Sequence, residues 1–125
     1  MKLKNVWVYI LSILLLFSCR SNEGKFMITN KSNFNIDSLS ILPDSKQQLI
    51  RLGKSKTIDF FTKMNKVTSD GSYVISFKNS ENNTIISKRF GYYTNGYQIE
   101  DVINITVLND TIMINSKFDT PYEIK

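Results

Sequence analysis

Beyond residue 24 the chain breaks into short runs in which branched and aromatic residues alternate with polar ones, and Asn, Asp, Ser or Gly close each run. Alternation at period two marks half-buried strands, and the closing residues mark turns. Residues 25–30 (KFMITN) put Phe26 and Ile28 on one face. Residues 34–42 (FNIDSLSIL) begin with Phe34 and Ile36 in one parity and end with Leu39 and Ile41 in the other. Strand neighbours point to opposite faces, so this switch predicts a bulge near Asp37-Ser38 or a change of sheet. Residues 43–46 read as a loop and 48–52 as a short edge strand. Residues 54–63 place Ile58 and Phe60 on one side and Phe61 on the other.

The second half repeats the pattern. Residues 72–78 (SYVISFK) turn Tyr73, Ile75 and Phe77 inward, and 84–90 return as their partner across a polar hairpin loop. Asn95-Gly96 predicts a type I′ turn, since both residues tolerate positive φ. Residues 99–108 carry Ile103, Ile105 and Val107 on one face, and 111–118 answer with Ile112, Ile114 and Phe118. About seven to eight short strands in a domain of this size predict an all-β fold, a single antiparallel β-sandwich of immunoglobulin-like or transthyretin-like layout. A small barrel is the alternative.

The first residues follow different rules. Lys2 and Lys4 precede twelve residues, 6–17 (VWVYILSILLLF), interrupted only by Ser12, and Ser18-Cys19-Arg20 end the run. A basic start, an apolar centre and a small residue at its close are the order of a signal peptide. The run is short of the roughly 20 residues that a spanning helix needs. Leu16-Phe17-Ser18-Cys19 resembles the lipobox of bacterial lipoproteins, with Leu at −3, Ser at −1 and Cys at +1. The resemblance covers residues 1–19. It implies a diacylglyceryl group on the Cys19 thiol, cleavage before Cys19, and attachment to a membrane through that lipid. Under that family's sorting rule, Arg20 in place of Asp at +2 implies the outer membrane. The lone Glu23, in place of an acidic run, implies its periplasmic face. The expected division is a signal peptide over 1–18, the lipidated cysteine and a tether over 19–24, the sandwich over 25–118 and a tail over 119–125. The five residues 20–24 reach at most about 17 Å, which holds the domain close to the lipid surface.

Composition narrows the chemistry. Without Lys2 and Lys4 the chain retains 14 basic and 11 acidic residues, scattered rather than gathered into a stripe. A nucleic-acid footprint needs a clustered basic face, so no nucleic-acid partner is expected. Histidine is absent and Cys19 is the single cysteine. Disulfides, zinc sites built on His and Cys, histidine triads and thiol nucleophiles are therefore excluded from the domain, and no cofactor is expected.

The remaining candidates are few. Glu100-Asp101 is an adjacent acidic pair whose members point to opposite faces of a strand. Ser45-Lys46, Ser55-Lys56 and Ser87-Lys88 are adjacent pairs that need spatial reach and a desolvated lysine to act. Catalysis is not expected from either set. Phe90, Tyr92, Tyr93 and Tyr97 surround Thr94-Asn95-Gly96. Tyrosine offers a large rigid area with a hydroxyl at its tip, so Tyr92, Tyr93, Asn95 and Tyr97 are the candidate binding residues. They either grip a partner or, for two or three of the rings, close one end of the sandwich. The expected function is a non-catalytic envelope lipoprotein presenting its sandwich to a protein partner, through a sheet edge or the Tyr92–Tyr97 loop, as an accessory subunit of an assembly or an immunity or inhibitor protein. The alternative is a module that captures a glycan or small ligand on the Tyr92–Tyr97 loop.

Overall fold

The computed structural model describes residues 5–10 and 22–117. Residues 5–10 are helical, and no helix among the described residues is long and apolar enough to cross a membrane. Cys19 and the expected tail lie outside the described residues. The rest is strand and turn: β1 (Glu23–Asn30), β2 (Ile36–Leu42), β3 (Ile50–Leu52), β4 (Thr57–Lys63), β5 (Gly71–Asn79), β6 (Ile85–Thr94), β7 (Tyr97–Gln98), β8 (Val102–Val107) and β9 (Ile112–Lys117). They form two packed sheets, ordered β4-β1-β8-β9 and β3-β2-β5-β6-β7.

The all-β sandwich stands, with nine strands rather than seven or eight. The run expected over 99–108 shortens to 102–107, which join β1 in one sheet, and residues 97–98 ahead of it form a separate short strand on β6 in the other. One pairing departs from the antiparallel expectation. β8 runs parallel to β1, from Phe26↔Ile103 to Asn30↔Val107. A parallel neighbour needs a long crossover, and here the intervening chain supplies it by building the second sheet. The domain also begins earlier than residue 25. Gly24 is buried opposite Thr62, and a Cβ there would collide with the Thr62 hydroxyl, so Glu23-Gly24 belong to β1 rather than to a tether.

The core follows the sequence parity. Phe26, Ile28, Ile103 and Ile105 of one sheet face Ile41, Tyr73, Ile75 and Phe77 of the other, all essentially without solvent contact. The parity switch in β2 is a bulge. Register slips between Ile36 and Leu39, with Ser38 at φ 52°, so Phe34, Ile36, Leu39 and Ile41 are all buried. Phe26 meets Tyr73 edge-on at 4.9 Å, and Phe90 and Tyr93 stack around Tyr73 at 5.7 and 5.2 Å. Each such buried side chain contributes about 1.5–3 kcal/mol over exposure.

Register also sorts the loops between two ends. The start of β1, the loops over 43–48 and 64–70, the segment 95–101 and the end of β9 share one end, here called the tether end. The turns over 31–35, 53–56, 80–84 and 108–111 share the other.

Each end has its own clasp between the sheets. At the far end Asn30 donates from Nδ2 to the carbonyls of Phe34 (2.9 Å) and Leu52 (3.1 Å), and its Oδ1 accepts from the Ser32 amide (3.0 Å) and hydroxyl. At the tether end Gln98 accepts from the Lys25 amide and donates to the Lys25 carbonyl, both at 3.0 Å, and also donates to the Glu100 carbonyl at 2.9 Å. Its side-chain amide thus makes the rung that β8 has not yet reached, since the β1–β8 ladder starts only at Phe26↔Ile103.

Candidate functional site

The tyrosine segment is a hairpin tip on a bulged strand. Asn95 and Gly96 have φ of 51° and 77°, the signs a type I′ turn requires, and Thr94 pairs with Tyr97 across it. Gly91, at φ 64°, is where β6 slips: Phe90 pairs with Tyr73 and Tyr93 with Gly71, leaving two residues of β6 against one of β5. The bulge turns both Phe90 and Tyr93 inward and Tyr92 outward.

The structure therefore divides the four candidate residues. Tyr92, Asn95 and Tyr97 are exposed, Tyr92 by 44% and Tyr97 by 59%. Tyr93 is 8% exposed, packs on Tyr73, and lies over Gly71 where any Cβ would strike its hydroxyl. Phe90 is also core. Of the two roles open to these rings, Phe90 and Tyr93 take the closing of the sandwich end. A glycine inside an alternating run is the sequence signal for such a bulge.

Asp70 braces the tip. Its carboxylate accepts the Asn95 amide at 3.0 Å and the Tyr92 hydroxyl at 3.5 Å. Gly96 presses on the carbonyls of Val67 and Met64, leaving no room for a side chain. Beneath it the Tyr73 hydroxyl donates to the Met64 sulfur at 3.4 Å. Burial, then the nearby Glu100 carboxylate and Tyr93, push the Tyr73 phenol well above its ordinary range, so it remains a donor. Glu100 is half-buried, with one carboxylate oxygen shut off from solvent.

Two surface depressions lie away from the tip, one lined by Phe77, Ile86, Lys88 and Ile112, another by Leu42, Asp44 and Leu49. The serine–lysine pairs do not form dyads. Ser87 bonds Ser76 on the outer face at 3.1 Å, while Lys88 turns the other way and donates to the Ile112 carbonyl at 2.9 Å. Both members of the pairs at 45–46 and 55–56 are exposed. Among the described residues no three carboxylates gather as metal ligands do.

The sheet edges differ in how far they are covered. β3 and β7 are edges of three and two residues. The edge of β4 is capped by the 44–48 loop: Asp44 accepts the Lys63 amide (3.0 Å), Ser45 donates to the Lys63 carbonyl (2.8 Å) and Gln48 donates to the Phe61 carbonyl (2.8 Å). Asp44 also accepts from the Lys46 amide and from Gln48. Its partial burial would raise its carboxyl pKa, but these hydrogen bonds outweigh that and hold it below its ordinary value. β9 differs. Six residues long, it carries Met113 at 50% exposure, and along its outer edge the described residues offer it only the Lys88 ammonium. Compared with known proteins, the chain matches no family model, no curated sequence and no solved structure.

Proposed function

We propose that the protein is a lipid-anchored, non-catalytic envelope lipoprotein, held through Cys19 on the periplasmic face of the outer membrane, and that it engages a protein partner by strand addition along β9. The β9 edge carries this reading. Natural sheets cover, shorten or charge their long edges. β3 and β7 are short and β4 is capped, whereas β9, like the length of β6 that β7 leaves uncovered, presents a long edge; exposed Met113 lies beside the β9 edge, and among the described residues only Lys88 reaches that edge. Beyond the Ile112 carbonyl held by Lys88, an extended segment of a partner would find backbone groups that have no partner among the described residues, and an apolar contact at Met113. Tyr92 and Tyr97 stand exposed at a hairpin tip, which suits a surface contact better than the enclosure a glycan or small ligand takes.

Site-specific photo-crosslinking in the intact envelope tests the reading. A photoreactive residue at Met113 is expected to yield a discrete crosslinked species absent from the same probe at Glu81, at the far end. The N-terminal peptide of the purified protein is expected to begin at Cys19 with the mass of an acylated cysteine. Crosslinking at Glu81 but not at Met113 would move the interface off β9, and an unmodified Cys19 would overturn the anchor.

A further inference from the structure

The exposed apolar residues are not spread evenly over the molecule. Between residues 22 and 117 the large ones are Leu42, Leu49, Phe61, Tyr92, Tyr97 and Ile99 in the half nearer the tether end, and Met27, Ile85 and Met113 elsewhere. The far-end turns expose no large hydrophobic side chain, since Phe34 is buried and Leu108 half-buried and their exposed positions are Lys, Ser, Asn, Asp, Glu and Thr; Ile85, which follows one of these turns, is the exposed apolar residue nearest them. Tyr97 and Ile99 flank Gln98, which bonds the Lys25 backbone, and Lys25 in turn pairs with Phe61. The apolar positions therefore continue across that end from one sheet to the other.

We infer that this rim, centred on the Tyr92–Tyr97 tip, rests on the lipid–water interface of the membrane that anchors the protein. The inference rests on the Cys19 anchor proposed above. Covalent geometry then places the rim: three residues separate Cys19 from Glu23, a span of four Cα steps and a reach of at most about 14 Å. Glu23 opens β1 at the same end as the tip. A domain so tethered presents this end to the bilayer and its polar end to the compartment. Tyrosine suits the headgroup level, with its ring among apolar neighbours and its hydroxyl in water. Asp70 and the close approach of Gly96 to Val67 hold the tip outward, so that ordering it on contact costs little.

The charge at this end selects the kind of lipid contact. Lys25, Lys46, Lys63 and Lys66 are offset by Glu23, Asp44, Asp70, Glu100 and Asp101. Balanced charge gives no pull toward anionic headgroups. The contact is aromatic and aliphatic, and it persists in high salt and on zwitterionic lipid. It also leaves the β9 edge free, because that edge runs between the two ends.

Tryptophan fluorescence tests the orientation. Trp7 is the sole tryptophan and lies upstream of Cys19, so the mature chain is a blank background. Full-length Tyr97→Trp and Asn82→Trp proteins, processed in the cell, are reconstituted into phosphatidylcholine vesicles with and without brominated acyl chains. Mass measurement first confirms acylated Cys19. The brominated lipid is expected to quench Tyr97→Trp by about twofold, in low and high salt alike, with a blue-shifted emission, and to leave Asn82→Trp unchanged. Equal quenching at both positions, or none at position 97 in the acylated protein, overturns the inference while leaving the anchor intact. A Cys19 that carries no lipid overturns the anchor itself, and the inference with it.

Discussion

Asn30 has no solvent contact, and every polar atom it carries is used. Its amide nitrogen and carbonyl bond Lys56 and Ser55, while its side chain joins the turn after β1 to the last residue of β3. In Asn30→Asp the two Nδ2 donors vanish, the Phe34 and Leu52 carbonyls lose partners, and a carboxylate is buried. Leaving a buried polar group unsatisfied costs about 1–3 kcal/mol each. The variant should lose about 3 kcal/mol in urea unfolding, with unchanged dependence on denaturant, if unfolding remains two-state. Asp44 gives a pH dependence of known sign. Its folded pKa is depressed, so the unfolded state binds its proton more readily, and the stabilisation is complete above the ordinary carboxylate value of about 3.9 and fades as pH falls through it. Asp44→Asn should be less stable than wild type at neutral pH, and the gap measured by urea titration should narrow by about pH 3. Neither role was legible in the sequence. Asn30 ends β1 beside a turn and Asp44 sits within one, both in stretches rich in Asn, Asp and Ser, where a side chain that orders the fold looks the same as one that meets water.

Individual strands were more legible, because alternation is a local property. The β2 bulge announced itself through the shift from Ile36 to Leu39, and the hairpin tip through Asn95-Gly96. The β6 bulge was marked only by Gly91, and its effect, exchanging Tyr92 for Tyr93 on the inner face, reversed the fate of half the candidate site. The division of β7 from β8 depends on Gln98, whose side chain acts as backbone, and no residue pattern announces that. Edge protection also belongs to whole strands. Lys88 points into the gap between β6 and β9, and its ammonium occupies the Ile112 carbonyl. An inward-pointing charge is one of the devices that keep an edge from pairing with another copy. Lys88→Met keeps the stem and removes the charge. It should retain stability to within about 0.5 kcal/mol, as surface substitutions do, yet self-associate at concentrations where wild type is monomeric by light scattering.

Across the molecule, the sequence showed a sandwich but not which turns share an end. That assignment follows from the antiparallel pairing of β1 with β4 and its parallel pairing with β8, contacts made far apart along the chain. Once they are fixed, the tyrosine tip moves from an unplaced loop to the end at which Glu23 enters. Hydrophobic positions that look scattered in one dimension collect at that end, while the Asn- and Lys-rich turns collect at the other.

The parallel return of β8 has a practical corollary. Glu23 enters and Lys117 leaves at the same end, two strand positions apart in one sheet, or about 10 Å. A handle joined directly after Lys117 would emerge beside the point where the chain enters β1. The hairpin loop at 80–84 is exposed and at the opposite end, so labels belong there. The same proximity would let a short linker join the two ends and new ends open at Asn82-Asn83, giving a permuted chain that keeps both sheets while being hung from its other pole.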